Sequence, residues 1–324
     1  MVTYISRGSG CYGVISIMNY KGGVGKTTLS ANVAAEMAYR GLEVLLIDLD
    51  PQANLTLSFV SIDDWKALDR QERTIKHWYD QYLDYNHDIS LKELIITPTR
   101  LNEKLAQSRS SGRLDLICSH LELVEVDMEL SSKLGGHTDR AIRNNYVNVL
   151  SRLRFKLEEI KEDYDMIIVD CPPNFNLITQ NAIVSSDYYL VPARTDYLST
   201  LGINTLLKHV DTLKKKYNQH LHETNHRHMP PISPQMLGIV FTMVSYHKGV
   251  PISAQREYIA QVKRSRLPFF NSYLRENKSL FASAPETGIP VILHQGNIQQ
   301  KKIKWEIRAL VDEVLHTMKA KVRS

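Results

Sequence analysis

Residues 21–28 read Lys-Gly-Gly-Val-Gly-Lys-Thr-Thr, and the apolar run Val14-Ile15-Ser16-Ile17-Met18 leads into them. Behind them, Leu29, Val33 and Met37 fall on one face of a helix predicted over Thr28–Tyr39, and Gly41 stands where that helix stops. Strand, glycine loop and helix in this order form what a triphosphate needs. Glycines let the backbone curl so that successive N–H groups converge, and the helix adds its positive N-terminal end. In that geometry Gly22, Gly23, Val24 and Gly25 cradle phosphate together with Thr28. Lys26 reaches the β- and γ-phosphates, and the Thr27 hydroxyl ligates Mg²⁺. The common spacing is not kept, because Tyr20 stands where its first glycine falls and Gly22-Gly23 make the early turn instead. Lys21 is a second lysine at the loop's start, which a phosphate loop by itself does not require. Its predicted use is to neutralise phosphate charge from outside the loop, on a neighbouring subunit.

Two acidic segments complete the pattern. Val44-Leu45-Leu46-Ile47-Asp48-Leu49-Asp50-Pro51 reads as a buried strand ending in two carboxylates, and Asp165-Met166-Ile167-Ile168-Val169-Asp170-Cys171-Pro172-Pro173 as another ending in one. Continuous apolar strands belong to parallel sheets covered on both faces, and such sheets bind ligands at the carboxyl ends of their strands. The acids therefore fall where Mg²⁺ and an attacking water belong. The expected fold is α/β, a doubly wound, mostly parallel sheet with helices on both faces.

The sequence resembles the ParA-type partition ATPases, a branch of the deviant P-loop group that also holds the MinD-type membrane-cycling ATPases. Lys21–Thr28, Asp48-Leu49-Asp50-Pro51-Gln52-Ala53-Asn54-Leu55-Thr56, Asp170-Cys171-Pro172-Pro173 and Gly238-Ile239-Val240-Phe241-Thr242-Met243 carry the resemblance. Weaker similarity runs through Leu114–Leu130, Val191–Leu207 and the stretch from Ala284 to Val291. The resemblance implies ATP and Mg²⁺ as ligands and weak, partner-stimulated ATP hydrolysis. It gives Lys21 the role of the extra lysine that crosses a nucleotide-sandwich dimer, and Asp50 that of the residue orienting the hydrolytic water. Asp48 and Asp170 become supporting groups around Mg²⁺ and its waters, and Thr242-Met243 the start of the adenine pocket. A lysine supplied in trans acts as an arginine finger does, by neutralising charge on the transferring phosphoryl group.

The chain has 324 residues, 43% of them hydrophobic, and a net charge of +5. Length alone suggests two domains, but the motifs are spread over one continuous α/β pattern. Three cysteines (Cys11, Cys118, Cys171) without metal-ligand spacing point to a reducing cytoplasm. No apolar run approaches the ~18 residues of a membrane span, and Met1–Gly10 is too polar for a signal peptide. Residues 236–324 hold 14 Lys and Arg against 6 Asp and Glu, while the remainder carries −3. Such segregation predicts a basic face for a polyanion.

Residues 1–12 read as a short polar lead, too short for a helix-turn-helix module, and 13–324 as a single ATPase domain. Residues 58–112, with Trp65, Trp78, Tyr79, Tyr82 and Tyr85, interrupt the strand–helix alternation and read as a mostly helical insertion, with a short helix around Leu91–Ile96. A histidine- and proline-rich loop is expected around 218–235, holding His220, His222, His226 and His228 as solvated residues.

The resemblance further implies sequence-independent DNA binding by an ATP-bound homodimer, a stimulating centromere-binding or cargo-adaptor protein, and a nucleoid-associated place in the cytoplasm. The cargo is a plasmid, a chromosome or a protein assembly. The family's usual DNA-binding arginines are not preserved, and the nearest basic residues are His247, Lys248, Lys263, Arg264, Arg266, Arg275 and Lys278. A MinD-like membrane cycler is the alternative, since Ile303, Ile307, Leu310, Val311, Val314, Leu315 and Met318 form one stripe flanked by basic residues. Glu306, Asp312 and Glu313 lie within that segment and argue against it, so membrane binding is not expected. An ATP-using enzyme acting on a small substrate is a third class.

Overall fold

The computed structural model describes residues 12–84, 88–224, 226, 229–281, 284–294 and 297–322. Residues 1–11 of the N-terminal lead, Cys11 among them, and Tyr85 and His228 lie outside these residues. Nine strands occur among the described residues: β1 (Val14–Ile17), β2 (Glu43–Asp48), β3 (Ile95–Ile96), β4 (Arg113–Ile117), β5 (Met166–Asp170), β6 (Tyr188–Arg194), β7 (Gln235–Thr242), β8 (Tyr246–His247) and β9 (Val250–Pro251). The helices are α1 (Lys26–Tyr39), α2 (Ile62–Arg70), α3 (Ile75–Asp84), α4 (Thr99–Gln107), α5 (Leu123–Ser132) and α6 (Asp139–Glu158). They continue with α7 (Leu177–Val184), α8 (Tyr197–His222), α9 (Ser253–Arg264), α10 (Lys278–Phe281), α11 (Ala284–Thr287) and α12 (Ile298–Val322).

The first seven strands form one sheet in the order β3-β4-β2-β5-β1-β6-β7. All neighbours run parallel except β3, which pairs antiparallel with β4 at the edge. The strand that feeds the glycine loop is therefore central, flanked by β5 and β6. Its side chains, Val14 to Ile17, are all buried, as expected where both faces of a parallel sheet are covered. One apolar cluster packs α3 and α5–α9 on one face, and a second packs α1, α4 and α12 on the other.

The segment 58–112 is largely helical, with one difference from the sequence reading. The stretch Leu91–Ile96 is one tight helical turn followed by strand β3, so the insertion also supplies the sheet's antiparallel edge. α3 buries Ile75, Trp78, Tyr79 and Leu83, whereas α2 buries none of its residues. The expected histidine loop begins later than read, because α8 continues through His220 and His222. In α12 the stripe Ile303, Ile307, Leu310, Val311, Val314, Leu315 and Met318 faces the sheet, none of it more than 5% exposed. That face closes the core and is not available to a lipid surface. Among the described residues no helix is long and apolar enough to cross a membrane.

Close approach of α1 to β4 rests on Gly112, where an added Cβ would lie 2.1 Å from the Ala38 carbonyl oxygen and 2.6 Å from that of Leu42. Both oxygens are engaged, that of Ala38 by the Gly41 N–H and Ser110 hydroxyl and that of Leu42 by the Arg113 N–H. Gly112→Ala is expected to lose about 3 kcal/mol of stability, the upper range for overpacking. Gly202→Ala in α8, where a Cβ meets nothing within 4 Å, is expected to gain about 0.5–1 kcal/mol. Urea denaturation of both variants checks this pair, and a tolerated Gly112→Ala would contradict the packing.

Candidate nucleotide site

Gly23 and Gly25 take φ of +66° and +83°, backbone that only glycine adopts without strain, and they turn the loop from β1 into α1. The two lysines of the loop occupy different places. Lys26 is 6% exposed, with its amine 3.3 Å from the Asn19 carbonyl oxygen and 3.5 Å from that of Lys21, inside the curl of the loop. Burial lowers its pKa, against the opposing pull of Asp170 and Asp50. Lys21 points outward instead. Its amine holds both oxygens of Asp196 at 2.8 and 2.9 Å, with the side chain 32% exposed. Asp196 also caps α8 by accepting from the Ser199 N–H. Burial pushes the Asp196 carboxyl up, but the Lys21 and Ser199 hydrogen bonds outweigh it and hold the pKa low.

Asp170, at the end of β5, is fully buried and receives the Thr27 hydroxyl at 2.8 Å on one oxygen and the Ser30 hydroxyl at 2.8 Å on the other. Both donors come from the first turn and a half of α1, so the helix that follows the loop is clipped to the neighbouring strand. Burial pushes the Asp170 carboxyl up to about 6, although both hydroxyls and Lys26 favour its charged form. Asp48 is its register partner on β2. The Thr56 N–H and hydroxyl donate to one Asp48 oxygen, each at 2.8 Å, and the Asp50 N–H donates to the other at 3.1 Å. Burial and the charge of Asp170 push Asp48 up to about 8, against those three donors. Asp48 thus shapes the loop that carries Asp50, with both of its oxygens already bonded to the chain. Asp50 is 8% exposed, and one of its oxygens accepts from the Gln52 N–H at 3.0 Å.

Thr242 and Met243 line a small cavity of about 100 Å³ with Gly25, Thr28, Leu274 and Phe281. The rest of its wall is Arg275, Glu276 and Asn277. Arg275, one of the candidate DNA contacts, is partly buried on this wall. Its guanidinium is paired with Glu306 at 2.5 Å and lies over the Tyr246 ring, 4.9 Å from the ring centre. Lys278 opens α10 beside this wall, and only its backbone is described. His247 and Lys248 are exposed on the β8–β9 hairpin, whose turn residues Lys248 and Gly249 both have positive φ. Lys263, Arg264 and Arg266 are exposed at the end of α9, where Lys263 lies over the Phe269 ring. Among the described residues no group of His, Cys, Asp and Glu is placed to hold a metal by itself.

Sequence reading missed Ser30, Asn19, Thr56, Ser119 and Asp196. Ser30 had a local signal, since it follows Thr27 by three residues on the same helical face. Asn19 braces the loop, donating to the Pro192 carbonyl and accepting from the Lys21 N–H. Asp196 lies 175 residues from Lys21 and is joined to it only by the fold.

A central strand, glycine loop and helix, with acids at the ends of adjacent parallel strands, define a P-loop nucleotide-binding protein of doubly wound α/β architecture. The AAA domain family matches residues 12–223. The sporulation initiation inhibitor protein Soj of Bacillus subtilis is 30% identical, over 87% of this chain and 90% of its own length. The chain belongs to the ParA-type partition ATPases of the ParA/MinD family. Among solved structures, apo McdA of Cyanothece superposes with a TM-score of 0.67 at 18% identity, covering 94% of this chain and 98% of its own. Cobyrinic acid a,c-diamide synthase of Mycobacterium smegmatis, with bound ATP analogue and magnesium, gives 0.63 at 20% identity, covering 93% of each chain. Both show the fold.

A carboxyl whose pKa is raised by folding holds its proton more tightly in the native than in the unfolded chain. The stability it contributes is therefore complete below an unfolded value of ~3.9 and is lost as pH rises through the folded value. For Asp48 that loss runs from about pH 4 upward and is complete once the pH has passed about 8. Between pH 6.5 and 9 the nucleotide-free protein is expected to lose thermal stability more steeply than Asp48→Asn. Parallel melting curves across that range would show that Asp48 is ionised throughout.

Proposed function

We propose that the chain is an ATP-driven dimerising switch of the partition type. ATP with Mg²⁺ binds across the glycine loop, and two copies close face to face around it. The observation that supports this best is the division between the two loop lysines. Lys26 fills the inner place, and Lys21 is left on the outer rim, directed away from the cradle of its own chain. The Lys21–Asp196 pair is about one-third exposed and worth on the order of 1 kcal/mol or less, so it opens easily when the partner's phosphates offer a stronger counter-charge. The residues present suit the group: the N–H groups of Gly22–Thr28 for the phosphates, Lys26 for their charge, and the Thr27 hydroxyl for Mg²⁺, with Asp170 behind it. Bound Mg²⁺ supplies charge neutralisation on the phosphates. Asp50, on its braced loop, orients the attacking water, and Lys21 of the partner neutralises charge that develops on the phosphoryl oxygens. The neighbours that hold ATP analogues with the same fold support this assignment.

In this reading the ATP-bound dimer binds DNA without sequence preference through Lys248, His247, Lys263, Arg264 and Arg266, all exposed in the basic C-terminal part. An adaptor or centromere-binding protein then speeds hydrolysis and releases the dimer. The outcome is segregation of a plasmid or chromosome, or positioning of another cargo, on the nucleoid. DNA affinity is expected to fall steeply with salt, with a slope that lessens by roughly one for each phosphate-contacting lysine removed.

Lys26→Ala is expected to abolish binding of a fluorescent ATP analogue, and unchanged affinity would remove Lys26 from the site. Lys21→Ala is expected to bind nucleotide normally but to stay monomeric with a non-hydrolysable analogue and Mg²⁺, as read by light scattering after size-exclusion chromatography. A Lys21→Ala dimer would contradict the trans role. Asp50→Ala is expected to accumulate as an ATP-bound dimer with hydrolysis lowered by at least about 100-fold, and wild-type turnover would exclude Asp50 as the water-orienting group.

A further inference from the structure

The insertion between β2 and β4 meets the nucleotide site at the dipeptide Ser119-His120, which follows β4. From the site side, the Ser119 hydroxyl donates to the Asp50 carbonyl oxygen at 2.7 Å, and the Ser119 N–H donates to the Thr56 hydroxyl at 2.9 Å. Thr56 in turn holds Asp48. From the insertion side, the Trp65 ring N–H donates to the Ser119 carbonyl oxygen at 3.0 Å. The Trp65 ring stacks on His120, with centres 5.3 Å apart and planes 25° apart. His120 Nε2 lies 3.0 Å from an Asp69 oxygen, and His77 Nε2 lies 3.8 Å from the same oxygen. His120 Nδ1 accepts the Glu122 N–H at 3.1 Å, so the neutral ring carries its proton on Nε2 and donates it to Asp69. Ser119 is fully buried and His120 is 7% exposed, so these links lie beneath the surface.

Trp65 and Asp69 both belong to α2, which buries none of its residues and exposes Ile62 at 60%. α3, by contrast, is anchored by four buried side chains and by the Ile75 N–H on the Cys118 carbonyl. α2 is therefore held to the body mainly through partly buried Trp65 and Leu68 and through the grip on Ser119-His120. It is an adjustable element with a direct hydrogen-bonded line, two residues long, to the backbone of Asp50.

We propose that α2 is a positioning arm for hydrolysis: Trp65 and Asp69 hold Ser119-His120 so that Asp50 is kept in its productive place, and displacement of α2 slows turnover without weakening nucleotide binding. This rests on the ATPase reading given above. Trp65, Asp69 and His120 are positioning residues, since none of them touches the glycine loop.

The test uses the full chain and follows two quantities, single-turnover ATP hydrolysis and affinity for a fluorescent ATP analogue. Trp65→Phe, which keeps the ring and loses the donor, and His120→Phe, which keeps the stack and loses both nitrogens, are expected to slow hydrolysis by about 10- to 100-fold, the effect of misplacing a reacting group by an ångström or less. Affinity is expected to stay at the wild-type value, and His120→Gln, which keeps a donor toward Asp69, is expected to restore most of the loss. Wild-type hydrolysis by Trp65→Phe and His120→Phe, with Asp50→Ala inactive, would overturn the arm and leave the ATPase reading standing. Equal losses of affinity and rate would overturn it too, by showing that α2 merely supports the fold. Undiminished hydrolysis by Asp50→Ala would instead remove the reading on which the arm depends.

Discussion

Two carboxylates buried side by side at the ends of adjacent strands are the constraint to which the rest of the rim answers. Asp48 and Asp170 face each other in register on β2 and β5, both out of contact with solvent. Bringing two like charges into the interior is costly, and the cost falls only when donors or a cation meet them. The chain supplies the donors from two directions. α1 gives Asp170 two hydroxyls, and the loop after β2 gives Asp48 two backbone N–H groups and one hydroxyl. The helix behind the glycines and the loop bearing Asp50 are therefore fixed to one another by way of these two acids.

The same network explains why the fold alone does not specify chemistry. A cobyrinic acid a,c-diamide synthase and McdA share this architecture with the chain. A phosphate loop at the centre of a doubly wound sheet serves any reaction that begins at a triphosphate. The switch reading proposed above rests on where the second lysine lies. Lys21 rests on Asp196, with about a third of each side chain exposed.

Much of this rim was legible in the sequence because its signals are local. A continuous apolar run marks a buried parallel strand, and three such runs, one ending in the glycine loop and two in Asp, place Lys21–Thr28, Asp48, Asp50 and Asp170 at neighbouring strand ends. The partners that make the acids tolerable were not legible in the same way. Thr56 and Ser119 act on Asp48 and Asp50 through loops whose path is set by packing, and Asp196 meets Lys21 only because β6 lies next to β1. Arg275, a candidate DNA contact by its basic charge, also stands in the wall of the cavity at Thr242-Met243. Charge along a sequence reports solvent-seeking groups. It does not report that an arginine such as Arg275 has a buried glutamate waiting for it.

The last helix shows the same limit from the apolar side. A stripe of period 3.6 states that one face avoids water, not which medium covers it. In α12 the acidic residues that interrupt the basic pattern decide the matter, because each has a partner on the body. Glu306 holds Arg275, Asp312 holds Arg40, and Glu313 accepts from the N–H groups of Asn271 and Ser272. A helix destined for an anionic lipid surface would gain nothing from these acids and would lose attraction to the headgroups. On a core-closing helix they are clips: they set its rotation about its own axis so that the apolar stripe faces the sheet, and they hold Arg275 against the wall of the cavity behind the glycine loop.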